Sequence, residues 1–211
     1  MTIHLPKTRE QLAGLLAPMR LEATVFERAV SMAASESRTF SPGAPKSAPE
    51  ITRWLRTVEA VHEGLMLLKL GWRRFDPENL PYFLQPDLNL GLIVSSGDQF
   101  TGVTYGSPSN RNPKGEAFAR RVDENGQVAL FGQPTDDGEV VVDDAWVCLY
   151  DERNGLVYVE LSRPSSMSGK FVGTWSDRII FPTFDLALGA FVFEVADDED
   201  EGDYGFTVAR R

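Results

Sequence analysis

Apolar residues recur at helical spacing through the N-terminal third of the chain and give way to strand-like runs from Leu88 onward. Thr8-Arg9-Glu10-Gln11 has the spacing of a capping box, so a short helix is expected to start after Thr8. Pro18 interrupts it, because a proline ring clashes with the carbonyl four residues back. Proline tolerates a first helical turn, so a second helix is expected to begin there. Leu21, Val25, Ala29 and Met32 then share one face, with Phe26, Val30 and Ala33 beside it. Ser41-Pro42-Gly43-Ala44-Pro45-Lys46-Ser47-Ala48-Pro49 excludes regular structure by its three prolines and reads as a semi-rigid linker. The clearest helix follows, with Ile51, Trp54, Leu55, Val58, Val61, Leu65 and Leu68 in helical period and Gly71 where a C-terminal cap belongs.

The passage 73–86, with Pro77, Pro81 and Pro86, is expected to be an ordered loop packed by its aromatic residues. Beyond it, strands are expected at 88–95, 99–105, 127–131, 139–142, 145–150, 156–161, 178–181, 188–195 and 204–209. Turn residues separate them, including Ser96-Gly97-Asp98, Glu124-Asn125-Gly126 and Asp136-Asp137-Gly138. Asn154-Gly155 between two apolar runs predicts a tight hairpin. A second hairpin is expected from 188–195 and 204–209. Helices first and strands second predict an α+β fold with a largely antiparallel sheet. The chain divides into a helical arm over 1–40, the linker over 41–49 and an α+β domain over 50–211. The arm is expected to dock on that domain or on another chain.

Composition narrows the class. With 211 residues, the chain can bury a core without a disulfide or metal. Its one cysteine, Cys148, lies in an apolar run and reads as a small buried hydrophobe. No secretory leader pattern opens the sequence and no apolar run approaches membrane-spanning length, so a cytoplasmic protein with no membrane partner is expected. The net charge of -10 is uneven: residues 1–106 are balanced, while 107–211 carry the whole excess. Two clusters dominate, one of Asp136, Asp137, Glu139, Asp143 and Asp144, the other of Asp197, Asp198, Glu199, Asp200, Glu201 and Asp203. Such clusters either keep a protein in solution or attract a basic partner. The same balance disfavours direct nucleic-acid binding.

Candidate chemistry is sparse. His62-Glu63 begins like a zinc-protease helix, but Met66 stands where the second histidine belongs. His4, His62 and Cys148 are too few soft ligands for a structural zinc site. The chain has neither a nucleophile elbow nor a phosphate-binding glycine motif. The loop from Ser109 to Lys114 carries two cations without the Gly-Lys-Ser/Thr ending of a phosphate loop, and an ordinary polar loop is favoured over an anion site. The run from Asp197 loosely echoes a calcium loop, but Val208 occupies the twelfth position, where a bidentate glutamate is required. No cofactor, metal or catalytic residue is therefore assigned.

The expected function is a non-enzymatic protein-interaction module: an immunity, adaptor, inhibitor or assembly factor. Its partner is another protein with a basic surface. Asp136, Asp137, Asp197, Asp198, Glu199, Asp200 and Glu201 would face that partner, with the aromatic residues Trp72, Phe75 and Tyr82, joined by Phe83, as candidates for the packed contact. Self-burial of those rings is the competing fate. Alternatives are a hydrolase using dispersed carboxylates and an acidic mimic of nucleic acid.

Overall fold

A computed structural model describes residues 1–76, 80–126 and 144–193. Among these residues it contains four α-helices: α1 (Arg9–Leu16), α2 (Ala23–Ser37), α3 (Ala48–Leu68) and α4 (Glu116–Gly126). The strands are β1 (Thr2–His4), β2 (Arg73–Phe75), β3 (Tyr82–Gln85), β4 (Leu90–Ser96) and β5 (Asp144–Arg153). They continue with β6 (Leu156–Ser168), β7 (Phe171–Ile180), β8 (Thr183–Asp185) and β9 (Ala190–Val192). The fold is α+β, and the sheet runs β1-β7-β6-β5-β4-β3-β2, with β8 and β9 branching from β6.

The sheet is mixed, which corrects the expectation of a largely antiparallel one. β4 pairs with β5 in parallel, and β1 joins β7 in parallel, while the remaining pairs are antiparallel. A parallel pair needs a crossover connection, and the crossover between β4 and β5 includes α4. The Asn154-Gly155 turn joins β5 and β6 with φ of 54° and 81° at its two residues. Positive φ at both central positions is what a type I′ hairpin turn demands.

Strand alternation splits the core into two layers. Leu90, Leu92 and Val94 of β4, with Cys148 and Tyr150 of β5, face the three N-terminal helices. Val25, Phe26 and Ala29 of α2 and Val58, Val61 and Leu65 of α3 complete that layer. On the opposite face Ile93, Val147 and Leu149 pack against Phe118 and Val122 of α4. The N-terminal helices therefore share one core with the sheet. Gly64 of α3 faces Val25, where an added Cβ would lie 3.0 Å from Val25 Cγ1, so this glycine permits close approach of the two helices.

Several boundaries differ from expectation for local reasons. The Thr8 hydroxyl accepts from Gln11 N at 3.2 Å, as a cap should, but the Gln11 side chain reaches Lys7 N rather than closing on Thr8. Pro18 lies in a 3₁₀ turn over Ala17–Met19, and Arg20 turns left-handed after it, so α2 begins only at Ala23. Lys69, not Gly71, takes the left-handed cap of α3, with φ of 54°. The passage read as a loop over 73–86 contains the hairpin strands β2 and β3; Pro81 immediately precedes β3, and Pro86 immediately follows it. The strand expected at 99–105 is absent: that segment is a series of turns, with Gly102 at φ 71° and Gly106 just beyond it at 77°. The breaker Glu124-Asn125-Gly126 instead ends α4. Strands expected at 127–131, 139–142 and 204–209 lie outside the described residues; of the second expected hairpin, the first strand contains β9, which pairs with β8, and the other arm lies outside the described residues.

Candidate functional site

The outer side of α3 carries two hollows separated by Trp54. The first, of about 340 Å³, lies where parallel β4 and β5 end. Ligands of open α/β sheets favour the crevice outside the carboxyl ends of parallel strands. Its wall is Ile51 and Trp54 from α3; its floor is Ser96, Tyr150, Asp151 and Glu152; Arg53, Arg111 and Asn112 close it. The second hollow, of about 440 Å³, lies toward the β2–β3 hairpin and is lined by Trp54, Leu55, Val58, Arg56, Arg74 and Pro81. The half-buried Trp54 is anchored by its indole N–H, which donates to the Val94 carbonyl at 3.3 Å.

Two large aliphatic side chains stand on this ridge in the open. Ile51 is 54% exposed and Leu55, one turn further, 52%. Ile51 and Leu55 share the helical period of the buried Val58 and Leu65, with Ile51 within about 20° of Val58, but they sit in the N-terminal half of α3 and stay exposed there, which corrects their expected place in the core.

Strand and loop geometry bring the charges of the first hollow together. Alternation along β5 puts Tyr150 and Glu152 toward the helices and Asp151 toward the opposite face. Asp151 is buried, and its carboxylate meets Arg111 and Arg153, the latter at 3.1 Å. Desolvation pushes the Asp151 carboxyl above its ordinary pKa, even though both guanidiniums pull it down. Glu152 lies 3.0 Å from Arg38 and 3.1 Å from Arg53. Arg111 also donates to the Gly97 carbonyl and reaches Glu50 at 3.4 Å. The carboxylates of this cluster are thus tied up in ion pairs.

Tyr150 is 4% exposed and lines the hollow with its ring, while its hydroxyl oxygen is sealed inside. The Thr57 hydroxyl lies against it; that hydroxyl donates to the Arg53 carbonyl at 2.7 Å and keeps its oxygen lone pairs for the phenol. Burial raises the phenol pKa, while Arg53 and Arg111 both act to lower it, so both guanidiniums lie within electrostatic reach of the oxygen.

The loop carrying Arg111 is pinned from below. Glu160 and Arg178 form a fully buried pair at 2.6 Å. Glu160 also accepts from Gly102 N, and Arg178 donates to the Val103 carbonyl. Arg153 holds the Gln99 and Thr101 carbonyls and lies 3.6 Å from the centroid of the Tyr158 ring. Asn110 bonds the Lys170 and Asn112 carbonyls and Val172 N. These contacts give the 109–114 segment a structural role. Lys114 ends half-buried, 5.6 Å from the Phe118 ring centroid, with burial lowering its pKa to about 8.

The residues singled out by sequence separate clearly. Trp72 is buried and donates to the Arg20 carbonyl at 2.8 Å. Tyr82 is buried beneath Arg121, and Phe83 stacks on His62. These rings are buried, the competing fate expected for them, whereas Phe75 is 40% exposed. Cys148 is buried, and burial, with Glu160 nearby, pushes its thiol pKa up. Asp136, Asp137, Asp197, Asp198, Glu199, Asp200 and Glu201 lie outside the described residues. Asp144, from the same acidic run, starts β5 and pairs with Arg163 at 2.5 Å. Sequence reading missed Arg53, Arg111, Tyr150, Asp151 and Glu152 as a group, because only the parallel pairing of β4 with β5 brings them together.

Among the described residues, no helix is long and apolar enough to cross a membrane. No three histidine, cysteine or acidic side chains among them converge as metal ligands. Compared with models of protein families, with curated proteins and with solved structures, the chain matches none of them.

Proposed function

We propose that this chain is a non-enzymatic protein-interaction module that docks a partner on the outer side of α3. The observation that carries this reading is the exposure of Ile51 and Leu55 on successive turns, beside a hollow on either side of Trp54. Burying such a side chain fully is worth about 1.5–3 kcal/mol, so two of them with Trp54 would form the apolar centre of a contact. Arg56, Glu59 and Arg74 supply a charged rim around the second hollow. The ionised groups of the first hollow are paired with one another, an arrangement suited to a fixed surface rather than to proton transfer.

The partner in this reading has a basic surface. The net charge of -10 would steer it, with the clusters around Asp136–Asp137 and Asp197–Glu201 raising the association rate and the α3 ridge setting the dissociation rate. The test is affinity purification from the native host with wild-type chain and with Leu55→Asp, each confirmed folded by circular dichroism. A protein retained by the wild type and lost from the variant supports the reading. Retention of the same proteins by both removes the ridge as the docking surface.

A further inference from the structure

We propose that the hollow at the ends of β4 and β5 receives a lysine or arginine side chain of the docked partner. This rests on the docking reading and names what the basic partner inserts beside the α3 ridge. The lining sets the sign: three carboxylates, of Glu50, Asp151 and Glu152, stand against two guanidiniums, of Arg53 and Arg111. Two of the carboxylates are already held. Asp151 meets Arg111 and Arg153, and Glu152 meets Arg38 and Arg53. Both lining arginines are committed as well, since Arg111 also donates to the Gly97 carbonyl and Arg53 to the Ser37 hydroxyl at 3.0 Å.

Glu50 is the carboxylate left over. It stands in the first turn of α3 with its side chain 60% exposed, and its one ionic contact among the described residues is Arg111 at 3.4 Å. An ammonium or guanidinium arriving from solvent meets acceptor capacity to spare there. An anion would meet the three carboxylates instead. An apolar side chain would strip water from Glu50 without replacing its hydrogen bonds. The shape of the hollow fits the same occupant. Ile51 and Trp54 form an apolar wall next to Glu50. Lysine and arginine lay their methylene stems on apolar surface and keep the charged head among polar groups. At about 340 Å³ the hollow is at the small end of ligand pockets, which span roughly 300–1,000 Å³, so it suits one side chain. The second hollow, across Trp54, is left for an apolar residue of the same partner.

Nuclear magnetic resonance titration of the whole chain at constant ionic strength tests this with N-acetyl-lysine methylamide, N-acetyl-arginine methylamide and the neutral N-acetyl-norleucine methylamide. The readout is the Trp54 indole N–H resonance, assigned by its loss in Trp54→Phe. At least one cationic probe should shift it saturably below about 50 mM, and the norleucine probe should bind at least about threefold more weakly. Glu50→Gln, an exposed change, should keep the fold and remove that preference. No saturable shift from either cation, equal binding of the norleucine probe, or an unchanged preference in Glu50→Gln overturns the inference. The titration needs no partner, so its failure is distinguished from failure of the docking reading, which retention of the partner by Leu55→Asp reports. Once a partner is retained by the wild type and lost from Leu55→Asp, Glu50→Gln should retain less of it. Undiminished retention by Glu50→Gln would keep the ridge as the docking surface and overturn the insertion.

Discussion

Glu160 and Arg178 sit on neighbouring strands β6 and β7 with neither side chain exposed, and together they hold the loop that carries Arg111. Removing one partner of a buried pair leaves the other charge uncompensated, at a cost of about 3–5 kcal/mol. Glu160→Gln should therefore lower the stability measured by urea unfolding by that order. It should also speed amide exchange over residues 97–106, because Gly102 N–H loses its charged acceptor. A stability within 1 kcal/mol of wild type (about the error of such a comparison) would mean that the pair does not organise the loop.

Cys148 is 2% exposed within β5, and burial pushes its thiol pKa up. The thiolate is the reactive form, so native protein should react with a thiol reagent far more slowly than unfolded protein. Cys148→Ser should lower stability modestly, since a hydroxyl then needs a buried partner. Rapid labelling of the native chain would contradict this placement.

The helices and the hairpin were the legible part of this fold. Val58, Val61 and Leu65 repeat at helical spacing and do form the inner face of α3, and Asn154-Gly155 forms the turn it suggests. Short elements escaped for physical reasons. β2 and β3 lie among prolines that would normally veto strands, yet the hairpin keeps Pro81 and Pro86 outside the paired residues. α4 has Phe118 and Val122 as its buried apolar anchors, and Asn125, which bonds the Ala145 and Pro164 carbonyls, takes the next place on that face. The strand expected at 99–105 is replaced by turns, with left-handed glycines at 102 and, just beyond it, 106. The candidate site was not legible, because its residues come from α3, the 111–112 loop and β5, and parallel pairing leaves no local signal.

Lys114 gives a pH signature with a defined sign. Burial lowers its pKa from 10.5 to about 8, so the unfolded chain binds more protons than the folded one between these values. Stability should therefore rise with pH from about 8 toward 10.5 relative to Lys114→Met, which lacks the group. At pH 7 the variant should be the more stable protein, because it no longer desolvates a charge. Parallel stability-pH curves for the two proteins would place the ammonium in solvent.

The central claim is that the α3 ridge is a docking surface, and site-specific photo-crosslinking in the native host tests it most directly. A photoreactive amino acid at position 55 places the probe on the exposed ridge, and one at Glu116 places a control at the start of α4 on the opposite face of the sheet. The account predicts a discrete adduct with one basic protein from position 55, absent from position 116 and weakened by salt. Identical adduct patterns from both positions, or no adduct from position 55, would contradict it.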